Sequence, residues 1–329
     1  MTGRSLRAVF SAAVKSLRSA CVPDSRASAL FLLAHVHGSP DAADGESHLL
    51  RDTPLTTETR AAFNSLITRR CHREPLQYII GDWDFGVLRD VAVCAPVLIP
   101  RPETEELVAL AVQCARKIRA PTSAPPVLID AGTGSGVILA ALLTSLRAWR
   151  GFGIDVSRDA VALARKNAVR AGVDARAHVD LADVRLWENP SRAASLVVAN
   201  PPYISTRDVR SLEPEVRLFE DVRALDGGTD GLEVPLAFIH AAARWTHPGA
   251  HLLLEVGTAH PRALATAMGC MGSSLAAANG FGAPIQWTRN QSDPVIDAAG
   301  AAALRSHWRF VRAFADFTGR PRFVELERR

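Results

Sequence analysis

A short apolar run, Val127-Leu128-Ile129, stops at Asp130 and is followed by Ala131-Gly132-Thr133-Gly134-Ser135-Gly136 and then by Val137, Ile138 and Leu142. Glycines directly after a buried strand let the backbone turn tightly and leave room for a ligand beside it. The stretch therefore commits the chain to a strand–loop–helix unit of a parallel α/β sheet. A second run, Phe152-Gly153-Ile154, ends in Asp155, nineteen residues after Gly136. An acid at that spacing reaches a pair of ribose hydroxyls. The unit predicts a nucleotide-type cofactor site.

Dinucleotide enzymes and S-adenosylmethionine (SAM) enzymes share this pattern, and two details favour SAM. The glycines read G-x-G-x-G, so the third helix-packing glycine of the dehydrogenase fingerprint is missing. An acid, Asp130, stands directly before the loop, where it can hold a cationic methionine moiety through its ammonium group or a water. Ser135 between two glycines does not satisfy the G-x-S-x-G of a nucleophile elbow. The chain continues as a helix from Ala160 to Ala171 and a strand from Ala177 to Val179, then Asp180 and Asp183. The end of the third strand of a doubly wound sheet lies beside the adenine. Asp183 is thus a candidate acceptor for the adenine amino group, or else a solvated loop aspartate.

Another buried-strand run, Leu196-Val197-Val198-Ala199, ends in Asn200-Pro201-Pro202-Tyr203. Methylating an amide or an exocyclic amine requires turning a conjugated, weakly nucleophilic nitrogen toward the methyl donor. Two acceptors on its N–H groups do this: the Asn200 side-chain oxygen and the Pro201 backbone carbonyl. Paired prolines stiffen the turn and preorganise those acceptors. Tyr203 can stack on the flat amide and shield it from water. A bare Pro-Pro turn is the alternative, but here it follows a glycine loop and an acid at strand ends.

Upstream, Leu6, Val9, Phe10, Ala13, Val14 and Leu17 share one helical face. A second helix starts after Pro23-Asp24, with Asp24 as its cap, and stops near Gly38-Ser39-Pro40. A third begins around Thr56, carries Phe63, Leu66 and Ile67, and ends in Arg69, Arg70 and Arg73, cations that suit a helix C-terminus. His35 and His37 read as a surface pair. Residues 1–75 form a small helical domain on this reading, and 76–100 a β-hairpin linker through Tyr78-Ile79-Ile80, Val87-Leu88 and Val91-Ala92-Val93. Prolines 100 and 102 keep the next block extended until Glu103, whose acidic turn opens a helix. Residues 101–329 form the remaining domain.

Composition excludes several classes. The run of apolar residues needed to span a membrane, roughly 18, occurs nowhere. The five cysteines are scattered without a C-x-x-C pair, which fits a reducing compartment and no metal site. The net charge of +4 comes with arginines spread along the chain, unlike a clustered phosphate-binding face. The first 23 residues hold Arg4, Arg7, Lys15 and Arg18 before any acid. They read as a mitochondrial presequence or as an ordinary domain helix.

Taken together, these motifs resemble the HemK/PrmC protein-glutamine methyltransferases that modify class 1 peptide chain release factors. The resemblance spans nearly the whole chain. Besides the loop and tetrapeptide, it rests on Pro75 to Gly81, Leu98 to Glu105, Leu225-Asp226-Gly227-Gly228-Thr229-Asp230-Gly231-Leu232 and Leu252 to Gly257. It implies a Rossmann-like SAM-dependent methyltransferase sheet with a helical N-terminal domain for substrate recognition. It implies methyl transfer to the side-chain amide of the glutamine in the factor's Gly-Gly-Gln loop. By match, Gly132 to Gly136 and Asp155 contact SAM, and Val184, after the third-strand acid, packs on the adenine. Asn200, Pro201, Pro202 and Tyr203 hold the glutamine, with Asn200 near both ligands. The chain departs from the pattern at Gly86 and at Glu220-Asp221, and Gly272 to Gly282 reads as a surface insertion.

The closing Phe317 to Phe323 resembles organellar members and, with the acid-free N-terminus, favours the mitochondrial matrix over the cytoplasm. A ribosomal-protein glutamine methyltransferase has the same site. An adenine-N6 nucleic-acid methyltransferase shares the Asn-Pro-Pro-Tyr chemistry but calls for a basic, aromatic recognition region that is not evident. A catalytically silent SAM-binding partner protein has no reason to keep Asn200 beside Tyr203. The expected partner is the release factor, with no nucleic acid and no membrane.

Overall fold

The computed structural model of the chain describes residues 5–39, 41–52, 54–118, 124–189, 193–270 and 294–329. Its backbone contacts gather into two units. The expected insertion Gly272 to Gly282 lies outside the described residues.

The first unit opens with α1 (Leu6–Ser19), α2 (Ser25–Val36), α3 (Ala42–Leu50), α4 (Thr57–Cys71) and α5 (Leu76–Ile80). Leu17, Leu32, Leu33 and Phe63 lie at the centre of its core. The apolar stripe of α1 is buried there, so the basic N-terminal helix is part of the folded unit. Ser5 and Thr56 cap α1 and α4 through their hydroxyls. Asp24 stands at the N-cap position of α2 but in a left-handed conformation, φ 46°, with no capping hydrogen bond. That corrects the expected cap. Helix α3 was not expected, because its sequence has little apolar periodicity. A Cβ at Gly45 would come 2.2 Å from the Leu30 carbonyl oxygen, so α2 and α3 meet backbone to backbone. His37 does not pair with His35 on the surface; its ring stacks on His48 of α3 at 3.9 Å.

Tyr78-Ile79-Ile80 is helical, not the first hairpin strand. Gly81, with φ 86°, ends α5 as a left-handed cap, and burial of Tyr78 and Ile79 outweighs their β preference. The hairpin therefore comes later, as β1 (Asp82–Phe85) and β2 (Leu88–Ala92). Glu213–Glu220, far away in sequence, also belongs to the first unit. Its Glu215 accepts from Arg70 Nη1 at 2.9 Å and from Arg73 Nε at 2.7 Å. Burial opposes the Glu215 charge, yet the two arginines hold its carboxyl below the ordinary range. The arginines at the end of α4 thus answer a specific carboxylate as well as the helix dipole.

The second unit holds α6 (Pro102–Ala115), β3 (Val127–Ala131), α7 (Val137–Ser145), β4 (Arg150–Asp155), α8 (Arg158–Arg170), β5 (Ala177–Leu181), β6 (Ala194–Ala199) and α9 (Thr206–Val209). After α10 (Pro214–Phe219), which lies in the first unit, come a 3-10 turn Val222–Ala224, α11 (Glu233–Trp245), β7 (Thr246–Glu255), α12 (His260–Ala267), α13 (Ala298–His307), β8 (Trp308–Ala315) and β9 (Pro321–Arg328). Helix α6 starts on Pro102 itself, one residue earlier than expected, because the first helical position needs no N–H.

The seven strands run in the order β5-β4-β3-β6-β7-β9-β8. The first five are parallel; β9 is antiparallel to both β7 and β8. This is a Rossmann-like α/β fold. Strand order reverses at β3, so the carboxyl ends of β3, β4 and β6 face one crevice, where such sheets bind ligands. One potential ligand group for a metal, Cys114, His251 and Glu325, gathers among the described residues. Burial pushes the Cys114 thiol up to about 12, so it stays protonated. Burial also opposes the Glu325 charge, but His251 and Arg312 overcome it and hold the carboxyl at about 2. Among the described residues, no helix is long and apolar enough to cross a membrane.

Candidate active site

Strand β3 is buried between β4 and β6, and the glycine loop leaves its carboxyl end. Asp130 is fully buried, and its Oδ2 accepts from Thr133 Oγ1 at 2.6 Å and from the Leu139 backbone N–H at 3.1 Å. Those bonds pin the loop to α7. Burial lifts its carboxyl to about 7, against the pull of both hydrogen bonds, and its Oδ1 has no protein partner. Thr133 and Ser135, within the loop, are buried, and the Ser135 carbonyl accepts from Asn167 Nδ2 at 2.8 Å. Gly136 has φ 80°, and a Cβ there would come 2.7 Å from Ala164 of α8. Without a third glycine at dehydrogenase spacing, Gly136 performs the close helix packing itself.

Asp155 closes β4 beside this loop. Its Oδ2 accepts from the Gly134 N–H at 2.9 Å and its Oδ1 from the Ser157 N–H at 2.8 Å. Each carboxylate oxygen retains a lone pair for a ligand hydroxyl. Burial raises the Asp155 carboxyl, while both N–H groups and nearby Arg223 favour its charge. Asp183 is gripped by its neighbour Arg185, with Nε to Oδ1 at 3.0 Å, which holds its carboxyl below the usual range. As an adenine acceptor it would have to share its oxygens with that guanidinium.

Gly132, Gly134, Asp155, Asp183, Val184, Asn200 and Pro202 line one cavity of about 480 Å³. That volume falls within the roughly 300–1,000 Å³ of small-molecule sites. Asp130, Thr133, Ser135, Gly136, Pro201 and Tyr203 are not among the residues that form its wall. Leu98, from the Leu98 to Glu105 block singled out in the sequence, also lines it, as do Val97, Asp221, Arg223 and Phe238, which sequence reasoning did not place there. A backbone-held carboxylate, apolar flanks from Val184, Ala160 and Phe238, and the amide of Asn200 make a donor set that fits SAM.

Asn200 follows the wholly buried strand β6. Its Nδ2 donates to Thr104 Oγ1 at 3.1 Å, and that hydroxyl donates to Glu255 Oε2 at 2.8 Å. The Tyr203 hydroxyl donates to Glu255 Oε1 at 3.1 Å, and the Arg322 guanidinium lies 5.3 Å over the Tyr203 ring. Burial and the Glu255 charge push the Tyr203 phenol up, so it stays protonated. The Leu225 to Leu232 motif explains itself here. The Gly227 N–H donates to the Ile204 carbonyl at 2.8 Å, and a Cβ at Gly227 would come 2.7 Å from the Pro202 carbonyl oxygen. Only glycine lets this loop brace the tetrapeptide so closely. Thr104 and Glu255 sat inside motifs visible in the sequence, but nothing local tied them to Asn200.

Known proteins resemble both parts of the chain. The family model described as the PrmC N-terminal domain matches residues 8–81, and a methyltransferase-domain model matches residues 128–217. The human MTRF1L release factor glutamine methyltransferase is 31% identical over 93% of this chain and 82% of its own length. Release factor glutamine methyltransferases of Geobacter sulfurreducens (42% identical, over 63% of this chain and 69% of that protein) and Cereibacter sphaeroides (37%, over 77% and 86%) align similarly.

Proposed function

We propose, from the premise that this chain belongs to the release factor glutamine methyltransferase family, that it methylates the glutamine of the Gly-Gly-Gln loop of a class 1 peptide chain release factor. The protein is a SAM-dependent protein-glutamine methyltransferase. When bound, SAM supplies an electrophilic methyl group on a sulfonium centre. Asp155 and the loop Gly132–Gly136 bind that cofactor, with Asp183 and Val184 at the adenine and Asp130 holding the loop in shape. Asn200 Oδ1 and the Pro201 carbonyl accept from the N–H groups of the glutamine amide and turn its nitrogen toward the methyl group. Pro202 stiffens this turn. Tyr203 covers the amide and excludes water. In this reading residues 1–75 recognise the factor, 76–100 connect and add Val97 and Leu98 to the cavity wall, and 101–329, apart from the segment 213–220 that folds with the first unit, carry the chemistry. The observation that carries it is that Asp155 and Asn200 line the same cavity.

The test is transfer from radiolabelled SAM to purified release factor, with its Gln→Ala variant, ribosomal protein and DNA as competing acceptors. Label on the factor and none on the Gln→Ala variant is expected; label on ribosomal protein or DNA instead replaces the substrate assignment. Asn200→Ala should lower turnover by roughly 10²–10³-fold with little change in SAM affinity, since it removes a preorganised transition-state partner. Near wild-type turnover would reduce the tetrapeptide to a turn. We place the protein in the mitochondrial matrix on the organellar-like Phe317 to Phe323, and a fluorescent fusion found only in the cytoplasm would overturn that.

A further inference from the structure

The two ends of an asparagine amide are nearly equal in size, so packing alone does not choose between them. The choice matters at Asn200. Its oxygen can accept from a substrate N–H; its nitrogen, turned the same way, would oppose donor with donor. We propose that Thr104 and Glu255 are positioning residues that fix the Asn200 amide with its oxygen toward the substrate amide. The inference rests on the functional reading above and adds to it the group that sets the polarity of the acceptor.

Glu255 has no exposed surface and, as a carboxylate, only accepts. Its Oε2 accepts a hydrogen bond from the Thr104 hydroxyl at 2.8 Å and its Oε1 one from the Tyr203 hydroxyl at 3.1 Å. A hydroxyl has one proton, so Thr104, having directed it at Glu255, can offer Asn200 only lone pairs. Asn200 must then direct its N–H group at Thr104, as it does at 3.1 Å, which leaves Oδ1 on the other side. A flipped amide would set oxygen against oxygen and lose the bond. Glu255 closes β7 and Thr104 stands in the first turn of α6, both buried, so neither partner is free to reorient. Burial raises the Glu255 carboxyl above its ordinary range, while the hydroxyls of Thr104 and Tyr203 and the Arg322 guanidinium favour its charged form; the geometry of both hydroxyls, each aimed at a different oxygen, is that of an acceptor. The same carboxylate also tethers Tyr203, so a single buried charge orients both side chains of the tetrapeptide that meet the acceptor.

The experiment begins with wild-type protein and release factor. If the wild type does not label the factor, the functional reading falls, and that outcome is separate from the present one. Given activity, Thr104→Val and Glu255→Gln should each lower turnover by about 10–100-fold, the effect of losing one orienting hydrogen bond. KM for release factor and the calorimetric Kd for SAM should stay within about threefold, since neither residue lines the cavity. Thr104→Ser, which keeps the hydroxyl, should recover most of the turnover. In selectively ¹⁵N-asparagine-labelled protein without ligands, the Asn200 side-chain signals should move in Thr104→Val and return in Thr104→Ser. Turnover of Thr104→Val within about threefold of Thr104→Ser overturns the proposal. So does a loss of turnover with the Asn200 signals unmoved, because the effect would then act elsewhere. If Glu255→Gln fails to fold, the threonine pair alone decides.

Discussion

Asp130 shows how much a single carboxyl can be asked to do behind a glycine loop. It holds Thr133 and Leu139, and its burial raises its carboxyl to about 7 from 3.8. A raised acid favours the folded state fully below its unfolded value and loses that contribution as pH climbs through the folded value. Wild-type stability should therefore decline, through this group, between about pH 4 and pH 7. Asparagine does not titrate, and its oxygen can still accept from Thr133 and Leu139. The stability of Asp130→Asn relative to wild type should thus rise across that window by more than about 1 kcal/mol and be flat above it. Urea unfolding at spaced pH values measures this. A difference that does not vary with pH would mean the carboxyl titrates normally.

At the scale of elements, the glycine loop separates two requirements that a motif writes with one letter. Gly134 has φ 54° with open space where a Cβ would be, whereas Gly136 has φ 80° with Ala164 2.7 Å away. Gly134→Ala should cost about 1 kcal/mol of backbone strain. Gly136→Ala adds displacement of α8, and should lower the melting temperature by at least roughly 4 °C more than Gly134→Ala does. Equal melting temperatures would show that α8 yields freely. Strands β3, β4 and β6 were legible because each is a short apolar run ending at an acid or at Asn200, signals that lie within a few residues. Helix α5 was misread because Tyr78, Ile79 and Ile80 prefer strands in isolation, while Gly81 and burial decide otherwise. Helix α3 was missed because Gly45 speaks against a helix by propensity, and only the backbone of α2 explains it. Thr104 and Glu255 lie 151 residues apart, so their bond was invisible until the sheet brought them together.

For the whole molecule, the cavity lies entirely within the second unit. Binding to the folded state alone stabilises it by about 2.7 kcal/mol at a ligand concentration of 100 times Kd. Saturating SAM should therefore slow amide exchange in β3, β4 and β6 and leave the core of α1, α2 and α4 unchanged, read by hydrogen-exchange mass spectrometry. Uniform slowing would mean that the units open as one. The chain also makes an excursion: after the tetrapeptide it enters the first unit through Glu213–Glu220, where Glu215 meets Arg70 and Arg73, and it returns at Asp221 on the cavity wall. In the language of recombination, the two units are not cassettes. A crossover anywhere between α4 and α10 hands the arginines of one parent to the carboxylate of the other, so chimaeras between relatives inherit the first unit whole only if residues 213–220 travel with it.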